Sequence, residues 1–171
     1  IIEEVKRLEK ILDNITDFAK PSTLEKVDTQ ICEVMENTCI LMENYFQEKN
    51  IKLHKEFETD VPLISIDPAQ IKQVFLNILM NAVEAMPDGG DLNISIKSGI
   101  ESVEIDITDS GKSIPQEVLQ NIFDPFFTTK PNGTGVGLPV SLKIIENHGG
   151  KIDVESKHGK GTRMSLILPI K

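Results

Sequence analysis

Apolar residues at Ile71, Val74, Phe75, Ile78, Leu79, Ala82, Val83 and Met86 recur at spacings of three and four, which is one broad face of an α-helix. The helix has a start signal: Asp67 suits the N-cap, Pro68 the first position, and Gln70 completes an Asp-x-x-Gln capping box. Pro87-Asp-Gly-Gly90 breaks it. A second stripe, Gln73, Asn77, Asn81 and Glu84, is polar. Asparagine is a poor helix former, so two of them one turn apart at the edge of an apolar face suggest a task. Neutral amide oxygens can ligate a hard cation such as magnesium while phosphates supply the charge. For this helix alone, exposed or locally bonded amides are the plainer account.

The same patterning places the remaining elements. Ile1, Val5, Leu8, Leu12, Ile15 and Ala19 form a heptad seam, ended by Pro21. Such a stripe needs a partner helix, so the chain is expected to begin within a helical bundle; a helix folded back on its own domain is the alternative. Residues 21–30 read as a connector with a short strand, and 30–48 as an amphipathic helix. Alternation predicts strands over 51–59, 63–66, 92–96 and 103–107, the last two joined by a turn near residues 99–102. A short helix over 115–122, a flexible loop over 124–134 and a helix over 138–147 follow. Strands over 152–156 and 163–168 flank a Lys157-His-Gly-Lys-Gly161 turn. Hairpins separated by helices argue for an α+β fold, a two-layer α/β sandwich with a mostly antiparallel sheet and helices on one face.

Composition narrows the function classes. The chain has 171 residues, 39% hydrophobic and 26% charged, which suits one full domain with an appendage. No run of eighteen apolar residues and no signal-peptide pattern occur, so no membrane contact by this segment is expected. A net charge of −9 argues against nucleic acid and anionic membrane as partners, but leaves room for a local basic pocket. Cys32 and Cys39, the only cysteines, share a helix face without further metal ligands and read as small buried hydrophobes. A reducing, cytoplasmic setting fits.

Three further constellations carry candidate chemistry. Asp109-Ser110-Gly111-Lys112-Ser113-Ile114-Pro115 follows a strand directly. A carboxylate at a strand end can accept an exocyclic amine while a nearby glycine lets backbone approach a flat ring; an Asp-x-Gly turn alone is commoner. Phe123-Asp-Pro-Phe126-Phe127-Thr128-Thr129-Lys130 sets aromatics in a polar loop, as anchors of a movable flap or as side chains tucked into the core. Gly133-Thr134-Gly135-Val136-Gly137-Leu138 leads into a helix, where backbone N–H groups and the helix terminus favour phosphate. It lacks the βαβ setting of a dinucleotide fingerprint and the Lys-Ser/Thr of a P-loop.

Taken together and in this order, the four motifs resemble the ATP-binding catalytic domain of bacterial sensor histidine kinases, within the gyrase, Hsp90, histidine kinase and MutL superfamily. Residues 77–85 look like its N box, 109–115 its first glycine box, 123–130 its F box and 133–138 its second glycine box. Gly159-Lys-Gly161-Thr162 resembles the final glycine box, and residues 1–21 resemble the second helix of the dimerisation and histidine-phosphotransfer domain. The resemblance implies a Bergerat ATP-binding fold over residues 22–171 with ATP and Mg2+ as cofactors. It implies that Asn81 holds the metal, with Asn77 assisting or contacting phosphate, and that Glu84 lies among the nucleotide contacts. Asp109 would bind the adenine amino group, with Gly111 making room beside the ring and Ser113 and Ile114 close by. Lys130 and the amides of Gly135 to Leu138 would meet the phosphates; Phe126, Thr128, Thr129, Gly133, Thr134 and Thr162 would complete the site, under a lid of residues 124–134. Implied partners are the histidine-bearing bundle helix of a homodimeric parent and a response-regulator receiver domain.

Two departures matter. The family pattern Asp-x-Gly-x-Gly has Ser113 in place of its second glycine, which adds a Cβ near the nucleotide; Ser113-Ile-Pro-Gln116 also reads as a capping box for the next helix. None of His54, His148 and His158 sits in the family's acceptor context, so the segment is expected to bind Mg-ATP without labelling itself. A superfamily ATPase would want Glu where Asn77 stands, because Asn cannot take a proton. A serine kinase of the anti-sigma type would lack a lead-in bundle helix. A nucleotide-gated docking module without catalysis stays open.

Overall fold

The computed structural model describes residues 23–131 and 133–170. The heptad seam of residues 1–19 and the expected domain boundary after residue 21 lie outside the described residues. The element order is β1 (Val27–Thr29), α1 (Ile31–Glu48), β2 (Ile51–Phe57), β3 (Ile64–Ile66), α2 (Pro68–Glu84), β4 (Gly90–Ser98), β5 (Ser102–Asp109), α3 (Gln116–Leu119), α4 (Gly137–Asn147), β6 (Lys151–Lys157) and β7 (Gly161–Pro169). β1 and β3 pair with each other; the main sheet runs β2-β4-β5-β7-β6. All its pairs are antiparallel except β2 with β4. That one parallel pair fits the expected mostly antiparallel sheet, and the β3–α2 connection supplies the crossover it requires.

Strand alternation divides the sheet into two faces. Leu92, Ile94 and Ile96 on β4, Val103, Ile105 and Ile107 on β5, and Leu166 and Leu168 on β7 are buried under the helices. The opposite face carries polar residues such as Arg163, whose guanidinium grips Asp106 through Nε (3.1 Å) and Nη2 (2.8 Å). α2 buries the face its sequence predicts, from Ile71 to Val83, against this core. Burial pushes the Cys39 thiol up to about 11, as expected of a cysteine acting as a hydrophobe.

The ends of the helices differ from expectation in two places. Asp67 caps α2 through Oδ1, which accepts from the N–H groups of Ala69 and Gln70, both at 3.1 Å. The capping box does not close in its usual way. The Gln70 amide donates to Asp67 Oδ2 instead, and the Asp67 N–H donates to Nε2 of His148 at 2.9 Å. Ser113 does not cap α3, which starts at Gln116 after Pro115 and has no side-chain cap. Its hydroxyl donates to the Lys157 carbonyl at 2.6 Å, at the end of β6. α3 is also shorter than predicted, because residues 120–126 continue as turns.

Candidate functional site

Between α2, the end of β5, the 124–135 loop and the start of α4 lies a cavity of about 480 Å3, within the usual range of small-molecule sites. Asn77, Asn81 and Glu84 reach it from α2, and Asp109, Ser113 and Ile114 from the end of β5. Thr128, Thr129, Lys130, Gly133, Thr134 and Gly135 come from the loop, Gly137 and Leu138 from α4, and Thr162 from β7. The fold thus converges segments spread over 86 positions, from Asn77 to Thr162, into one lining.

Asp109 ends β5 on its inward face and is only 6% exposed. Its Oδ1 accepts the Gly111 N–H at 2.8 Å. Burial pushes its carboxyl above the ordinary range, and the N–H groups of Gly111 and Thr162 pull it partly back. A buried acceptor with capacity beyond these two bonds is suited to an amine donor from a ligand. The backbone behind it is braced by Gly161, which sits at φ +78°; a Cβ there would fall 1.8 Å from the Asp109 carbonyl oxygen. Gly111 makes room chiefly for α2: a Cβ would meet the Ala85 carbonyl oxygen at 2.5 Å, and the Lys112 N–H already donates to that oxygen at 3.0 Å.

Asn77 joins the two helices that frame the cavity. Its amide nitrogen donates to the Gly137 carbonyl (3.1 Å) and to Ser141 Oγ (3.2 Å) on α4. α4 itself begins at Gly137 after Val136, with no side-chain cap among the described residues, so its first N–H groups stand at the cavity end of the helix. Val136 is 2% exposed and packs in the core rather than lining the site. Asn81 meets Lys130, whose Nζ donates to Oδ1 at 2.9 Å and also pairs with Glu84.

The aromatics of the loop divide their tasks. Phe123 packs on the core, and Phe127 lines the cavity. Phe126 points away, 62% exposed at φ +69°, and its N–H donates to the Gly135 carbonyl at 2.8 Å. Phe126, Gly111 and Val136 are therefore the expected site residues that do not line the cavity. Sequence reasoning missed its apolar wall: Ile107, Met164 and Ile122. The first two were within reach. Ile107 pairs with Met164 in the same register that sets Asp109 beside Thr162, so alternation carries both onto the cavity face.

Comparison with known proteins agrees with this geometry. Residues 66–171 match the family described as "Histidine kinase-, DNA gyrase B-, and HSP90-like ATPase". Sporulation kinase E of Bacillus subtilis (strain 168) is 40% identical over the whole chain, which spans 23% of that protein. Sensor histidine kinase ZraS of Escherichia coli (strain K12) is 34% identical over 98% of the chain, which spans 36% of it. The chain thus spans well under half the length of these relatives. Among solved structures, the nucleotide-free catalytic domain of histidine kinase ThkA aligns with a TM-score of 0.79 at 34% identity, covering 85% of this chain and 96% of that one. ThkA in complex with the response regulator protein TrrA aligns with a TM-score of 0.85 at 32% identity, over 99% of this chain and 49% of that one. The chain belongs to the histidine kinase-, DNA gyrase B- and HSP90-like ATPase family, among the catalytic domains of sensor histidine kinases.

Proposed function

We propose that this cavity binds Mg-ATP and that the chain is the phosphoryl-donating core of a sensor histidine kinase, with the acceptor histidine on a helical bundle outside residues 22–171. One observation carries the reading. A buried, braced carboxylate (Asp109), an amide oxygen already holding a cation (Asn81) and an uncapped helix N-terminus (α4) open into a single cavity. In this reading Asp109 takes the adenine amine, between Ile107 and Met164 on the sheet and Ile122 on the far wall. The first amides of α4 take phosphate oxygens.

The donors fit a magnesium ion carried by phosphate. Asn81 Oδ1 accepts an ammonium here, a stand-in cation, and such an amide oxygen can ligate magnesium while the phosphates supply the charge. Among the described residues no group of three or more His, Cys, Asp or Glu side chains is placed to hold a metal alone. Bound there, the ion would neutralise charge on the polyphosphate. Lys130 and the α4 amides would orient the terminal phosphoryl, and transfer would be mostly a matter of positioning. Asn77 offers no base to activate water, since it is an amide committed to Gly137 and Ser141. That disfavours an ATPase.

Residues 1–21 are read, on their heptad seam, as the second helix of a dimeric bundle. Since the solved ThkA complex contains the response regulator TrrA, a receiver domain is the downstream partner proposed here. Among the described residues no helix is long and apolar enough to cross a membrane; a cytoplasmic setting is part of the proposal. The test is calorimetric titration with a non-hydrolysable ATP analogue, with and without Mg2+, for the unmutated chain, Asp109→Ala and Asn81→Ala. Clear binding that Asp109→Ala abolishes and that loses its metal dependence in Asn81→Ala supports the reading. Label appearing on a supplied histidine-bearing bundle then separates a kinase from a docking module. No binding at millimolar nucleotide overturns the proposal.

A further inference from the structure

Lys130 reaches from the loop across the cavity mouth to two acceptors on one side of α2. Nζ donates to Asn81 Oδ1 at 2.9 Å and pairs with the Glu84 carboxylate, one turn further along. Both side chains of the ion pair are about two-fifths exposed. Asn81 Oδ1 is also the oxygen to which the proposed function gives the metal ion. Two cations on one amide oxygen would stand within a few ångströms of each other and repel. The arrangement therefore has two exclusive occupants.

We propose that Glu84 is a positioning residue for the lid lysine: it holds Lys130 on Asn81 Oδ1 in the nucleotide-free protein, and Lys130 and a divalent ion are alternative occupants of that oxygen. The inference rests on reading the cavity as a Mg-nucleotide site. Lys130 is a compact cation on a flexible stem, so it moves between acceptors without backbone rearrangement. When Asn81 Oδ1 is taken, Lys130 is released toward the phosphates, which offer more negative charge than Glu84. Lysine release and metal arrival then become one event. Glu84 sets how readily it occurs, because its carboxylate competes with phosphate for the same ammonium. In the free state Lys130 also tethers the loop to α2, closing the mouth before any ligand enters.

The test is a double-mutant cycle of Glu84→Gln and Lys130→Met in the intact chain, with two readouts. The first is amide hydrogen exchange of residues 124–135 without nucleotide. Each single variant should speed lid exchange several-fold, and the double variant should be no faster than Lys130→Met alone. The second is affinity for AMPPNP with Mg2+ by calorimetry. Glu84→Gln should tighten binding about two- to fivefold, the scale of a half-exposed ion pair, and should have no effect when Lys130 is already Met. Glu84→Gln leaving lid exchange at the unmutated rate overturns the proposal. So does a tightening that persists undiminished in the Lys130→Met background, since that is plain repulsion between Glu84 and phosphate. Absence of nucleotide binding by the unmutated chain would instead sink the nucleotide reading, and the exchange readout would still decide whether Glu84 holds the lysine.

Discussion

Asp109 and Lys130 line the same cavity, but what holds each of them is different. Asp109 ends an inner strand, is 6% exposed, accepts the Gly111 N–H and rests on a backbone packed against Gly161. The Lys130 ammonium is held by partly exposed partners on another element, and its backbone by Thr128 and Gly133 within the loop. The floor is over-determined: α2 and α4 are pinned at one end by Asn77 and at the other by the contact of His148 with Asp67. The lid has an exposed phenylalanine at positive φ and few buried side chains. Ligand specificity can be built in where the backbone has no alternative, while the loop keeps local freedom at a small cost in stability. Two glycines test that contrast with one chemistry. Gly161 and Gly135 both have positive φ, +78° and +66°, and a Cβ at either would overlap backbone, at Asp109 and Phe126 respectively. Gly161→Ala should destabilise the fold by on the order of 4 kcal/mol, strain plus overlap with nowhere to relax. Thermal unfolding would show this as a fall in Tm of about 10 °C. Gly135→Ala should cost the fold about 1 kcal/mol or less, since the lid can shift, yet weaken nucleotide binding about tenfold. Equal Tm losses in the two variants would break the contrast.

Asn77 comes next in size, because it belongs to the floor although its motif belongs to the site. Asn77→Asp removes both donors to α4 and turns a carboxylate toward the Gly137 carbonyl. A loss of about 2 kcal/mol in denaturant unfolding is expected. If Asn77→Asp instead leaves stability unchanged and only abolishes nucleotide binding, the residue is a ligand contact and not a helix pin.

His148 pins the other end of the same helix pair and makes the floor sensitive to pH. Nδ1 hydrogen-bonds the Ile144 carbonyl at 2.7 Å and so carries the proton, while Nε2 accepts from Asp67 N–H. Burial holds its pKa below the free value of 6.5, with Lys26 acting in the same direction, and the Ile144 bond and Asp67 opposing. The folded state thus binds fewer protons than the unfolded chain just below 6.5. Its stability contribution is complete above that value and is lost as pH falls through the lowered pKa. Unfolding followed from pH 7.5 down to 5 should show this decline, and His148→Gln should flatten that part of the curve. A decline of the same size in the variant would assign it to other groups, but not to Asp109, whose raised carboxyl takes up protons on folding and so moves stability the opposite way.

What was legible in the sequence follows the same division. The apolar face of α2, the inward residues of β4, β5 and β7 and the helical start after Gly135 were all readable, because strict periodicity and burial agree there. The parallel pairing of β2 with β4 was not, since alternation within a strand says nothing about its neighbour's direction. Cap partners were misread where a distant residue competes: the His148 ring, 81 positions away, takes the N–H that Gln70 was expected to bond. The motifs located the cavity, but its apolar wall of Ile107, Met164 and Ile122 emerged only from register and loop path. The pairing of Lys130 with Glu84 bridges 46 positions, and no local pattern encodes it.

Ser113 lies on the seam between the two regions and sharpens the contrast by the smallest effect. Its hydroxyl donates to the Lys157 carbonyl, and the neighbouring Ile114 N–H donates to Ser156 Oγ at 2.7 Å. Together these bonds fasten the segment after Asp109 to the end of β6. The serine that replaces a family glycine therefore extends the braced floor toward the lid while still lining the cavity. Ser113→Gly should lower stability by about 1 kcal/mol, from one partly exposed hydrogen bond plus added freedom of the unfolded chain. Amide exchange should quicken over residues 110–115 and stay unchanged over 124–135. Affinity for the ATP analogue should stay within about twofold of the unmutated chain, below the penalty of losing one neutral hydrogen bond to a ligand. A larger gain in affinity on Ser113→Gly would mean that the side chain intrudes on the ligand, and the boundary between floor and lid would then fall before Ser113 rather than after it.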